Sequence, residues 1–216
     1  MIKNRVFVWG GLIILATVLY TIMVLPSLPS QIPTHWGIDG KPDRFNDRST
    51  GAWFLPGIMA ALWLFLMAVP AMSTKTKSIA NFREVWDLTV IYILAFMALI
   101  HPITLSGPIN GLDVVRFIMA AVCLLFTLIG NMLGKTTPNY FMGIRTPWTL
   151  ESPVVWERTH RLAARLMVGG GAIGFVLSLF GFYWLGLPLV IVATLWPVVY
   201  SYILYKKLNI GDVSQS

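Results

Sequence analysis

Six apolar runs, each close to the length needed to cross a bilayer, dominate this chain: Val6 to Leu25, Trp53 to Met72, Trp86 to Leu105, Val114 to Leu133, Leu166 to Tyr183 and Leu187 to Tyr205. At 1.5 Å of rise per residue, roughly 20 apolar residues span about 30 Å of hydrocarbon as a helix. With 56% hydrophobic and only 12% charged residues and a mean hydropathy of +0.73, the sequence argues against a soluble globule, whose buried helices would be shorter and would show polar outer faces. The expected fold is all-α, an integral membrane protein built as a six-transmembrane helix bundle.

The first run starts behind Lys3 and Arg5 like a signal peptide, but it is longer than a signal core, lacks an A-x-A site and stops at Leu25-Pro26-Ser27, so an uncleaved span is expected. Of the 16 Lys and Arg, only Lys41, Arg44, Arg48 and Arg116 fall on the side opposite the N-terminus, while Lys3, Arg5, Lys75, Lys77, Arg83, Lys135, Arg145, Arg158, Arg161, Arg165, Lys206 and Lys207 fall on the same side as it. The positive-inside tendency then places both termini in the cytoplasm. The net charge of +7 reflects that topology and attraction to anionic lipid, not direct binding of nucleic acid. Cys123, the one cysteine, lies in the fourth span and excludes an intramolecular disulfide.

Two segments between spans are long. The first, Pro26 to Ala52, is expected outside the membrane as a self-packed loop, with turns at Gly37, Gly40 and Pro42 and with Trp36 at headgroup level. Its His35, Asp39, Asp43 and Asp47 match neither an EF-hand nor a zinc spacing, so no metal is expected. The second, Gly134 to Arg165, is polar, aromatic and basic, and is expected in the cytoplasm. Prolines 138 and 147 and Gly143 interrupt any helix there, and the large apolar side chains must pack on the bundle or the lipid interface. Ser152 as N-cap and Pro153 at the first helical position begin an amphipathic helix leading into span five. Val155, Thr159, Leu162 and Leu166 form its apolar stripe; Glu157, Arg158, Arg161 and Arg165 take the other side, with Glu157 and Arg161 spaced as an i, i+4 pair.

Small residues at Gly170, Gly174 and Ser178 make a groove in span five, suited to internal packing or a homodimer. Pro197 is expected to kink span six. No span carries an ionisable residue near its middle, and the chain lacks HExxH, GxSxG and a phosphate loop. Asp113 and Arg116 are expected to pair at the outer start of span four. His101 sits deepest and reads as hydrogen-bonded structure; His160, beside Glu157 and Arg161, has no visible nucleophile. An enzyme is therefore not expected, no cofactor is implied, and a small transporter or channel-like protein is the alternative to a membrane-embedded binding or sensing protein.

Pro138 to Ala163, PNYFMGIRTPWTLESPVVWERTHRLA, closely resembles the signature of the SdpI-type bacteriocin immunity proteins, N-Y-x-x-G-I-R-T-P-W-T followed by V-W-x-x-T-H-R. Leu28 to Asp43, LPSQIPTHWGIDGKPD, resembles the I-P-x-H-W-x-x-x-G-x-x-D element of an uncharacterised domain often found in front of it. The resemblance implies a two-span region over residues 1–72 and a four-span region over 73–216, in a bacterial plasma membrane protein. It implies protection against a secreted peptide toxin, and a receptor role in which a cytosolic winged-helix repressor is held at the membrane. Carried onto this chain, the implied partner-binding residues are Asn139, Tyr140, Gly143, Arg145, Thr146, Pro147, Trp148, Trp156, Thr159, His160 and Arg161. Among them Arg145, His160 and Arg161 are the expected polar contacts, and Tyr140, Trp148 and Trp156 the anchors. Pro33, His35, Trp36, Gly40 and Asp43 are the expected toxin-facing set.

Overall fold

The computed structural model describes residues 5–37, 40–72, 79–107, 109 and 111–208. Lys3, Asp39, Lys75 and Lys77, used above, lie outside them. Six long helices carry the chain: α1 (Arg5–Val24), α2 (Arg48–Ala68), α3 (Arg83–Ser106), α4 (Val114–Leu133), α6 (Pro153–Leu179) and α7 (Tyr183–Lys207), with a short α5 (Pro147–Glu151) between α4 and α6. All six are long and apolar enough to cross a membrane, and much of their outward surface is exposed Phe, Leu, Ile and Trp, as lipid contact demands. At 27 residues, α6 is about 40 Å long, some 10 Å more than hydrocarbon requires. The surplus is its first turns, where Glu157, Arg158, Arg161 and Arg165 are exposed.

The all-α expectation needs one correction. The segment after α1 is an antiparallel hairpin, β1 (Gln31–Trp36) and β2 (Pro42–Asp47), with Gln31 opposite Asp47 and Trp36 opposite Pro42. Gly40, at φ 77°, turns the chain, and its N–H reaches the Gly37 carbonyl at 3.0 Å. The hairpin's root is apolar: Leu28 and Ile32 pack with Ala52 of α2 and Leu105 of α3. Asp47 ends β2 and caps α2, accepting from Ser49 N–H at 2.9 Å, so α2 begins five residues before the predicted apolar run.

The helices form two groups. α1, α2 and α3 close around Met59, Val90, Leu94 and Met97. Hydrogen bonds add to this apolar seam: the His101 ring meets Thr21 Oγ1 at 2.8 Å, and the Tyr20 and Ser106 hydroxyls lie 2.6 Å apart. Since lipid is as apolar as leucine, such polar ties and close packing hold membrane helices together. α4, α6 and α7 form the second group, in which small residues bring backbones together. A Cβ on Gly174 would lie 2.9 Å from Cys123 Sγ and 3.1 Å from the Gly186 carbonyl, and one on Gly170 would lie 3.2 Å from Ala193 Cβ. The small-residue groove of span five is thus filled by α4 and α7.

Three further expectations change in detail. The α6 to α7 turn falls at Phe180–Phe182, where Gly181 takes φ 90°, instead of at Trp184 to Gly186; Gly186 is a buried helix residue against Gly174. Asp113 and Arg116 do not form a side-chain pair. Asp113 caps α4 by accepting from Arg116 N–H at 3.1 Å, and the Arg116 guanidinium donates to the Leu179 carbonyl at the end of α6, where helix carbonyls are otherwise unpaired. The buried face of α6 is Val155, Trp156, Thr159, His160, Ala163 and Met167, one position round from the predicted stripe, leaving Leu162 and Leu166 half-buried.

Thr21→Val removes the His101 partner and is expected to destabilise the bundle by roughly 0.5–2 kcal/mol, read as thermal unfolding in detergent. Thr17→Val, which deletes only a bond to Ile13 within α1, should shift the midpoint less; equal shifts would contradict the interhelical role.

A hydrogen-bonded loop on the helix bundle

The starts of α1, α3 and α6 and the ends of α2, α4 and α7 share one end of the bundle. Arg5 pairs with Glu84 there at 3.2 Å, Trp63 Nε1 donates to the Val6 carbonyl at 2.9 Å, and Tyr205 donates to Glu151 at 2.9 Å. The segment between α4 and α6 covers this end, and its irregular backbone needs partners that helices supply internally.

Asn139 supplies the first set and is 0% exposed. Its Oδ1 accepts from the N–H groups of Phe141 and Met142, both at 2.8 Å, and its Nδ2 donates to the carbonyls of Thr137 at 2.8 Å and Met142 at 3.1 Å. Both donors and both lone pairs of the amide are used, which no other side chain of that size can reproduce. Phe141 and Met142 are thereby turned into the core of α1, α2 and α3. Ile144 goes the other way, against Leu133, Ala163 and Met167.

Trp156 and His160, one turn apart on α6, supply the second set. Trp156 Nε1 donates to the Thr136 carbonyl at 2.9 Å. His160 Nδ1 donates to the Trp156 carbonyl at 2.8 Å, which leaves Nε2 as the lone-pair atom, and Nε2 accepts from Ile144 N–H at 2.9 Å. The imidazole is therefore neutral here; a proton on Nε2 would face the Ile144 N–H. The two rings stack at 4.0 Å with 21° between planes. Gly143, at φ 107°, passes directly over His160, and a Cβ there would overlap Nε2.

The third set is Thr146 and Thr149. Thr146 caps α5 and Thr149 returns the bond to Thr146 N–H at 2.9 Å, a capping box built from two threonines. Thr149 Oγ1 also lies 2.7 Å from the Ile144 carbonyl. Pro147 opens α5, and Trp148 docks it on α7, donating to Ser201 Oγ at 2.6 Å with its ring edge-on to Tyr202. Beneath the loop a cavity of about 310 Å³ is lined by Thr89, Ile129, Met142, Ile144, Met167 and Thr194 among others.

The expected partner-binding residues thus divide by position. Asn139, Trp156, Thr159 and His160 are buried inside the loop's own framework, while Tyr140, Arg145, Pro147 and Arg161 are exposed and Gly143, Thr146 and Trp148 lie between. Arg145 folds back onto the Tyr140 carbonyl, and Arg161 pairs with Glu157 at 2.6 Å on the exposed face of α6. Sequence reasoning missed Thr136, Thr149, Ser201 and Tyr205. Only Thr149 carried a signal, as a hydroxyl three residues after another.

At the opposite end the expected toxin-facing residues all lie on the hairpin. His35 Nδ1 and Asp43 Oδ1 are 2.6 Å apart and exposed, and Trp36 and Gly40 border a cavity of about 410 Å³ reaching Asp113 and Tyr183. Pro33 is half-buried opposite Phe45. Among the described residues, no cluster of three His, Cys, Asp or Glu could hold a metal ion.

Two protein-family models match the chain: the SdpI/YfhL protein family over residues 135–201 and a domain of unknown function, DUF1648, over residues 12–60. The Immunity protein SdpI of Bacillus subtilis (strain 168) is 30% identical over 202 residues, covering 92% of this chain and 95% of that protein. No solved structure matches.

Asn139→Ala strands the buried Met142 N–H, at about 1–3 kcal/mol, and the half-buried Phe141 N–H, and Gly143→Ala displaces the His160 ring. Both are expected to expose the Phe141, Met142 and Ile144 amides to hydrogen exchange in nanodiscs. Amides that stay as protected as in the wild type would contradict this framework.

Proposed function

The chain belongs to the SdpI/YfhL protein family, and from that we propose that it is a plasma-membrane immunity protein protecting its bacterium against a secreted antimicrobial peptide, with the hairpin outside and the loop in the cytoplasm. The observation that carries this reading is the relationship along nearly the whole length to an immunity protein, joined to a structure with a distinct polar surface at each end of the bundle. The distribution of Lys and Arg supports the orientation. The proposed toxin contacts are Trp36, His35 and Asp43, exposed or half-exposed on the hairpin.

The cytoplasmic end supports a second activity, holding a winged-helix repressor at the membrane when toxin is bound. Tyr140, Arg145 and Arg161 present an aromatic and basic surface, while Asn139, Trp156 and His160 set the shape of the loop beneath it. Phe141 and Met142 pack on one helix group and Ile144 on the other, so a change in how the groups meet would reach the loop. Toxin can drive this only if it binds one arrangement more tightly than the other.

Cells expressing the chain are expected to survive toxin that kills empty-vector cells. Trp36→Ala, removing an aromatic anchor worth roughly 2 kcal/mol or about thirtyfold in affinity, should lower survival, while Arg161→Ala should lower recovery of repressor in membranes and leave survival intact. Survival equal to empty vector in cells with normal expression would refute immunity; repressor recovery indifferent to toxin would refute signalling. For orientation, a Tyr140→Cys variant should react with an impermeant maleimide only after the cells are opened.

A further inference from the structure

A larger cavity, about 660 Å³, lies under the hairpin between the starts of α4 and α7, within the range of about 300–1,000 Å³ usual for ligand sites. Its floor is apolar: Val115 and Met119 from α4, Leu187 and Pro188 from α7. Trp184, 64% exposed, and Leu187, 39% exposed, belong both to the groove and to the outward surface of α7, so the groove runs continuously into the face that meets lipid. Its walls come from the first six residues or so of each helix, within about 9 Å of the helix ends. That is the boundary of the hydrocarbon, where the Trp36, Tyr183 and Trp184 rings are also suited to lie.

The roof adds a polar feature. The pairing of β1 with β2 breaks register between Pro33 and His35, leaving Thr34 without a cross-strand partner. Thr34 lines the groove, and its Oγ1 is buried with no hydrogen-bond partner among the described residues, an arrangement that native proteins avoid unless something else fills the site. Among the described residues no Lys or Arg lines the groove, so none of them there grips a phosphate.

We propose that this groove binds an ester-linked membrane phospholipid, one acyl chain lying along Val115, Met119, Leu187 and Pro188 and a glycerol-ester carbonyl accepting a hydrogen bond from Thr34. The headgroup stays outside, so the site selects chain and ester, not headgroup charge. The lipid fills the gap between the hairpin, rooted on α2 and α3, and the α4 and α7 group, and ties the two together.

The protein is reconstituted in phosphatidylglycerol and phosphatidylethanolamine vesicles made with ester-linked or with ether-linked chains, then transferred to detergent for native mass spectrometry. Wild type is expected to retain one phospholipid and to favour ester over ether by roughly two- to tenfold, the worth of one hydrogen bond. Thr34→Val should abolish that preference while still retaining lipid, and Met119→Trp, which fills the groove, should lose the lipid. Replacing phosphatidylglycerol by phosphatidylcholine should leave retention unchanged. No retained lipid, equal retention of ester and ether lipid by wild type, retention that follows the headgroup, or an added membrane-active peptide recovered in the groove in place of lipid would overturn the proposal.

Discussion

Every backbone N–H and C=O near a bilayer must find a partner, and at one end of this bundle a stretch without regular structure has to meet that demand against an apolar surface. Three side-chain devices do it. Asn139 closes one turn with all four of its hydrogen bonds, the Trp156 and His160 stack holds the carbonyl of Thr136 and the N–H of Ile144, and the Thr146 and Thr149 box starts α5. What remains facing outward, Tyr140, Arg145 and Arg161, is presented by this internal framework.

The bundle beneath is joined unevenly. Within the α4, α6 and α7 group, glycines allow contacts close enough that a single added carbon would collide; within the α1, α2 and α3 group, larger side chains and the His101 to Thr21 bond do the work. Between the groups lie cavities at both ends, under the hairpin and under the loop. Contact between α3 and α4 joins the two groups.

Much of this was legible because it depends on neighbours in the chain. The spans follow from run length, the start of α6 from Ser152 and Pro153, and the Glu157 to Arg161 pair from spacing by four. The hairpin was not, because its strands are short, polar and broken by Pro33 and Pro42, so no period of two appears. Gly181 and Gly186 look alike as letters, yet one supplies a left-handed turn and the other a place for α6 to touch α7. Asp113 and Arg116 looked like partners at three apart, but the Asp113 carboxylate caps the helix it precedes and the Arg116 guanidinium reaches the end of α6, distant in the chain.

By itself the sequence determined that the chain carries six segments long and apolar enough to cross a membrane, where its polar segments fall and which family signature they carry, because hydropathy, capping and motif are properties of contiguous residues. The tertiary structure alone decided which signature residues face inward. Trp156 and His160 act on a carbonyl and an amide that folding brings to them from Thr136 and Ile144, and the α6 face that buries these two rings is set by contact with α4 and the loop, whereas Asn139 bonds near neighbours and owes only its burial to the fold. The burial of a polar side chain depends on what packs over it, and that partner is distant in the chain.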